Sequence, residues 1–211
     1  MKNNINIHEA DLKEIPAIAS IYKITFPEKT GSMLGQNTCE GYFTSMMDSG
    51  FYRILAAVYN GEVVGFSIIQ IDRSNSIDNK LGWMLSSPVE ILLFLLKNPV
   101  YLFKRGINVI KVKLRKQEKS ESVNEIPDIE KSVYLALIAV SESARGLGIG
   151  KLLLQKSIDI SAETENKYLD LDVLKENTHA QKIYEKAGFE RIAFVESRQG
   201  YIYRLVLSKS I

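Results

Sequence analysis

Apolar and polar positions along this chain change period several times, and each change predicts an element. Ile5 and Ile7 alternate with polar neighbours, which predicts a short first strand. Asp11 can then cap a helix, with Glu14 three residues on to reach back, and Ile15, Ile18, Ala19 and Tyr22 fall on one apolar stripe. Residues 51–59 are rich in strand formers, Asn60-Gly61 supplies a two-residue turn that needs positive φ, and 62–71 continue as a second strand. A hairpin follows.

Residues 72–131 differ in character, being first polar, then strongly apolar, then basic and finally rich in Glu and Ser. We read this stretch as an insertion. Ser87-Pro88-Val89-Glu90 is a capping box with proline at the first helical position, predicting a helix from 88 to about 97. Asn98-Pro99 restarts a second short helix, which Gly106 ends. Beyond the insertion the pattern becomes α/β: a buried strand at 133–140, a helix at 148–162, a strand at 168–173, a capped helix at 177–187, and strands at 191–196 and 201–207. The inward face of the 148–162 helix is expected to include Ile149, Leu152, Leu153 and Ile160.

Composition narrows the class. The 211 residues are 45% hydrophobic and 25% charged, enough for one domain with a sizeable core. Twenty-seven Lys plus Arg against 25 Asp plus Glu leave +2, which argues against nucleic acid as a partner. A single cysteine, Cys39, can form neither an intramolecular disulfide nor a zinc cluster and is expected to be structural, which fits a reducing, cytoplasmic setting. The opening MKNNINIHEADLKEI has no unbroken apolar stretch behind its lysine, so no secretory leader is expected. The apolar run at 89–103 is interrupted by Lys97-Asn98-Pro99 and falls short of the ~20 residues a spanning helix needs. A soluble protein is expected.

The chemistry concentrates in Ser141-Glu142-Ser143-Ala144-Arg145-Gly146-Leu147-Gly148-Ile149-Gly150-Lys151, between an apolar strand and an amphipathic helix. A glycine-rich strand-to-helix turn exposes backbone N–H groups at the positive end of a helix dipole, where phosphate binds well. Spacing excludes two phosphate motifs. A dinucleotide fingerprint starting at Gly146 needs glycine where Lys151 stands, and a P-loop ending at Lys151 needs glycine at Arg145 and Ser or Thr at Leu152.

Arg145, Gly148 and Gly150 do fit R-x-x-G-x-G, and this resembles the acetyl-CoA-binding motif of the GCN5-related N-acetyltransferase (GNAT) superfamily. Downstream, the run from Asn177 through Ala180, Tyr184 and Gly188 to Phe189 is similar to that family's N-x-x-A-x-x-x-Y-x-x-x-G-F segment. The resemblance is close over residues 133–189 and holds in pattern over 5–71, where the family has a strand, two helices and a hairpin. It implies an α/β (α+β) fold: a twisted, mostly antiparallel mixed sheet flanked by helices, opened between the strands at 133–140 and 168–173. The largely helical insertion between hairpin and catalytic strand departs from the family, and the whole chain is expected to be one domain carrying it.

From the resemblance follow the expected roles. Acetyl-CoA is the acyl donor, with no metal; the N–H groups of Arg145, Gly146, Leu147, Gly148, Ile149, Gly150 and Lys151 hold its pyrophosphate. Backbone at Ile138, Ala139 and Val140 takes the pantetheine arm, and the Ile138 N–H polarises the acyl carbonyl. Tyr184 matches the general acid that protonates the leaving thiolate, and Asn177 touches the arm, caps its helix, or does both. The base is not legible. The inward strand positions carry Tyr134 and Ala136, and Glu62, Asp170, Asp172 and Glu142 read as solvated or hairpin carboxylates. His8 and His179 read as exposed, and no G-x-S-x-G supports a nucleophilic serine.

The expected function is N-acetylation of the primary amine of a small molecule. Two alternatives stay open: a longer-chain acyltransferase using acyl-CoA or acyl carrier protein, and a non-catalytic acyl-CoA-binding or membrane-associated module. The long-chain and membrane readings are motivated by the insertion, whose residues 97–119 carry eight Lys or Arg against one Glu beside the apolar run at 91–96, and the non-catalytic one by Tyr134 and Ala136 standing where a base is expected. The blander reading is a helical hairpin packed on the sheet or on a second subunit of a homodimer.

Overall fold

The computed structural model describes residues 5–27, Ser32, 35–74 and 126–208. The helices expected at 88–97 and 99–106, and the basic stretch 97–119, lie outside the described residues.

Seven strands form one sheet: β1 (Ile5–Glu9), β2 (Tyr52–Tyr59), β3 (Glu62–Gln70), β4 (Ser132–Val140), β5 (Tyr168–Leu174), β6 (Glu190–Val195) and β7 (Gly200–Val206), in the order β1-β2-β3-β4-β5-β7-β6. All neighbours run antiparallel except β4 and β5, which are parallel. Among the described residues four helices flank it: α1 (Ile15–Thr25), α2 (Gln36–Ser49), α3 (Ile149–Ala162) and α4 (Thr178–Lys186).

Strand alternation builds two cores. Ile54, Ala56, Phe66 and Ile68 pack with Ile18, Tyr22 and Phe43 of α1 and α2, whereas Leu55, Ala57, Val64 and Ile69 pack with Ile149, Leu153 and Tyr184 of α3 and α4. On β2 odd and even positions thus face opposite layers, as a period of two requires, whereas on β3 a bulge opposite Ala57 and Val58 takes Val64 out of the alternation. Asn60 and Gly61 both adopt positive φ, 52° and 85°, as the hairpin demands.

Some sequence expectations are corrected in detail. The first helix begins as a 3-10 turn at Leu12–Glu14 before α1 proper, although Glu14 does reach back to the Asp11 amide at 2.8 Å. Leu152 is 44% exposed, not inward. The buried stripe of α3 runs through Ile149, Leu153, Leu154, Ser157, Ile160 and Ser161, and Leu152 lies off it.

Close packing fixes α3 against the sheet. Gly65 lies where an added Cβ would stand 2.9 Å from the Ala139 carbonyl oxygen and 3.2 Å from Leu153. Two residues on, the Ser67 hydroxyl meets that of Ser157 at 2.9 Å inside the core. At the other end, Gly188 (φ 92°) terminates α4, with its amide bonded to Glu185 O and that of Phe189 to Tyr184 O, both at 3.0 Å.

Candidate active site

Strands β4 and β5 pair from Ser132 opposite Tyr168 to Leu135 opposite Leu171, and no further. Just there β4 carries a bulge: Ile69 faces Leu135 and Ile68 faces Leu137, leaving Ala136 between them. A bulge bends and twists its strand, which turns the rest of β4 away from β5. Meanwhile β5 keeps its other neighbour to the end, with Leu174 opposite Gly200. The sheet therefore opens on one side of β4 only.

Polarity along that open edge can be assigned. Ser141 donates its amide to Val64 O at 2.7 Å, across to β3. Alternation along an antiparallel strand then turns the amides of Val140 and Ile138 the other way, toward the opening.

Beyond Val140 the chain makes a 3-10 turn, Glu142–Ala144, passes through Gly146 (φ 84°) and Gly148 (φ 78°), and enters α3. Both glycines occupy the left-handed region, where a side chain is strained. The Arg145 amide is spent on Glu142 O at 3.3 Å, and those of Lys151 and Leu152 on Gly148 O at 3.0 and 3.1 Å. Between them, the amides from Gly146 to Gly150 make no backbone hydrogen bond among the described residues. Such a run of free donors at a helix N-terminus is an anion cradle. It is narrower than the seven residues expected, since the Arg145 and Lys151 amides are already engaged. The Arg145 side chain is exposed and reaches Glu142 at 3.5 Å.

This cradle forms one end of a cleft of about 530 Å³, walled by Ile138, Ala139, Val140, Leu154, Ile183 and Tyr184. Helix α4 supplies the facing wall. Asn177 caps it, its Oδ1 accepting from the Ala180 amide at 3.1 Å, and Gln181 ties it to the end of β5 by donating to Leu174 O and Lys175 O, each at 3.0 Å. Tyr184 is thereby held inward, 9% exposed, with its ring 5.9 Å from that of Phe189 and 6.5 Å from that of Tyr203. Burial pushes its phenol above the ordinary value, so it stays protonated at neutral pH. Among the described residues its hydroxyl has no hydrogen-bond partner.

A second lobe of about 540 Å³ continues past Tyr184 and is lined by Phe26, Tyr134, Asp172, Arg198 and Tyr201. Ile138, Asn177 and Tyr184 border both lobes. Tyr134 is held neutral chiefly by burial and then by the charge of Asp172, and the Arg73 guanidinium lies 4.9 Å over its ring. Asp172 forms an ion pair with Arg198.

The carboxylates read together from sequence thus separate. Asp170 is not solvated: it is 1% exposed and holds Arg204 at 2.7 and 2.9 Å and Arg73 at 3.0 Å. Glu62 and Glu142 are exposed, as expected, and only Asp172 lines the second lobe. His179 is exposed at the rim of the first lobe, whereas His8 is half-buried and bonds Glu14 at 3.0 Å. Cys39 is buried. Sequence reasoning missed Phe26 and Arg198 altogether, since each arrives from a distant loop with no local signature. Among the described residues no group of three His, Cys, Asp or Glu could hold a metal, and no helix is long and apolar enough to cross a membrane.

With this geometry in view, residues 121–189 match the sequence model of the acetyltransferase (GNAT) family. A 5-NmdU N-acetyltransferase of Pseudomonas phage PaMx11 is 40% identical over 55 residues, 26% of this chain and 37% of that protein. An N-alpha-acetyltransferase of Sulfurisphaera tokodaii is 35% identical over 72 residues, 34% of this chain and 43% of that one. The matches thus span about two fifths of these curated relatives. Among solved structures, YncA of Salmonella typhimurium with its cofactor acetyl-CoA superposes with a TM-score of 0.60 at 16% identity, covering 99% of this chain and 96% of that one. Residues 121–189 are thus similar in sequence to the acetyltransferase (GNAT) family, and the chain has the fold of these acetyltransferase structures.

Proposed function

We propose that this protein is an acetyl-CoA-dependent N-acyltransferase acting on the primary amine of a small molecule. One observation carries the reading: β4 leaves β5 after Leu135 beside the free amides of Gly146 to Gly150, so an anion cradle and an unpaired strand edge share one cleft.

When bound, acetyl-CoA supplies an acyl group activated as a thioester and a diphosphate by which it is held. The amides of Gly146, Leu147, Gly148, Ile149 and Gly150 receive the diphosphate, with Arg145 and Lys151 adding positive charge at the mouth. Along the open edge, the amides of Val140 and Ile138 bond the pantetheine arm as a neighbouring strand would, and Ala139 and Asn177 line its path. The Ile138 amide stands where the first lobe meets the second and stabilises charge growing on the acyl oxygen. Tyr184, neutral because buried, donates its proton toward the departing sulfur. The amine enters from the second lobe. The proposal includes a single domain bearing the insertion at residues 72–131 and, from the lone cysteine, a reducing cytoplasmic setting.

An amine screen read by free-thiol release, run with acetyl-CoA and a longer acyl-CoA, tests donor and activity together. Turnover that falls as the acyl chain lengthens supports the proposal. Faster release from the longer donor would replace it with the long-chain alternative.

A further inference from the structure

The second lobe holds a distinctive pair. Among the described residues lining it, the charged side chains are Asp172 and Arg198, and they touch one another. Asp172 is 26% exposed and Arg198 56%. Two residues earlier on the same strand, Asp170 is bound on both oxygens by two arginines and sealed off. Among the described residues Asp172 has no second arginine, its other partner being the Tyr134 hydroxyl, and Arg198 extends from a surface turn, Glu196–Arg198. A pair this exposed adds little to stability, so a ligand carrying both charges can open it at small cost.

We propose, resting on the transferase reading above, that the acceptor is a zwitterion of the α-amino acid type, its ammonium received by Asp172 and its carboxylate by Arg198. Contact between the two side chains sets the spacing: opposite charges lying side by side match groups on neighbouring carbons, not the ends of a long chain. A ligand with both charges keeps the lobe neutral, and charge-assisted bonds to each end fix its orientation. Phe26, Tyr134, Leu137 and Tyr201 offer aromatic and apolar walls to its side chain.

The chemistry balances. The ammonium first yields a proton to solvent by way of Asp172. The amine nitrogen then bonds the acyl carbon, the carbon–sulfur bond breaks, the nitrogen's second proton passes to Asp172 and from it to solvent, and the thiolate takes one from Tyr184, which is reprotonated from solvent. One proton is released per turnover.

The test compares free α-amino acids with their amides, the corresponding decarboxylated amines, 6-aminohexanoate and a short peptide, by thiol release. The expected result is kcat/KM about tenfold or more in favour of the best free amino acid over its own amide and amine. Arg198→Gln should erase the preference, bringing that amino acid's kcat/KM down to the level of its amide in the same variant. Asp172→Asn should depress every amine. Calorimetric affinity for acetyl-CoA should be unaltered in both variants. Equal use of the amide or amine, a preference that survives Arg198→Gln, preferred use of the peptide or of 6-aminohexanoate, or coenzyme binding without turnover of any amino acid would each overturn this proposal. Absence of both coenzyme binding and turnover would instead remove the transferase reading beneath it.

Discussion

Leu135 stands opposite Leu171 in the last rung of the parallel β4–β5 ladder, and what lies beyond that rung is cleft. The bulge at Ala136 follows at once, so the parting of the strands is built into β4. From this bend follow the exposed Ile138 and Val140 amides, the meeting of the two lobes at Tyr184, and the predictions below.

Tyr184→Phe should lower kcat by roughly 10²- to 10⁴-fold, the usual worth of a positioned proton donor, with coenzyme affinity nearly intact. Steady-state thiol release paired with calorimetry measures both. The ring contacts to Phe189 and Tyr203 survive in phenylalanine, so an equal fall in both quantities would assign the tyrosine a packing role.

Gly65→Ala should destabilise the fold by about 1–3 kcal/mol and weaken coenzyme binding together. Its new methyl group meets the Ala139 carbonyl at 2.9 Å and Leu153 at 3.2 Å, so either β4 or α3 must move, and both frame the cleft. Urea midpoints and a coenzyme titration check this. An unchanged midpoint would mean that the interface yields freely.

Asp170→Asn should cost about 3–5 kcal/mol, because it leaves the Arg204 and Arg73 guanidinium groups around a neutral amide in a buried site. The same change reaches the segment before β4, since Arg204 also donates to Pro127 O at 2.6 Å. Denaturant unfolding measures the loss.

Stability should fall as pH rises above about 10, the ordinary phenol value. Burial raises Tyr22, Tyr134 and Tyr184 in the folded chain, so the unfolded chain releases these protons first. Between the two values the unfolded state binds fewer protons, and the free energy of unfolding declines with pH. Urea unfolding at pH 8, 10 and 11, alongside ultraviolet titration of tyrosinate, gives the check. Equal stability at the three values would contradict the burial.

Local signals made much of this legible. Asn60-Gly61 calls for a turn with positive φ and Asn177 for a helix cap; each is readable because its cause lies within a few residues. The remainder depends on partners far apart in sequence. Asp170 looks like a surface carboxylate until Arg204, 34 residues on, and Arg73, 97 residues back, close over it. Helix α2 buries Thr38, Cys39, Phe43 and Met46 among polar neighbours, with no clean stripe to announce it. Nothing local marks Ala136 as a bulge, and Gly65 shows its purpose only when α3 is laid across it.

Calorimetric titration of the folded protein with coenzyme A, beside Gly148→Asp, bears most directly on whether the amides of Gly146 to Gly150 form a diphosphate cradle. The account predicts saturable heat for the natural chain and none for the variant, whose added carboxylate would stand at a backbone position with φ of 78°. No heat with the natural chain, or equal binding by the variant, would contradict it.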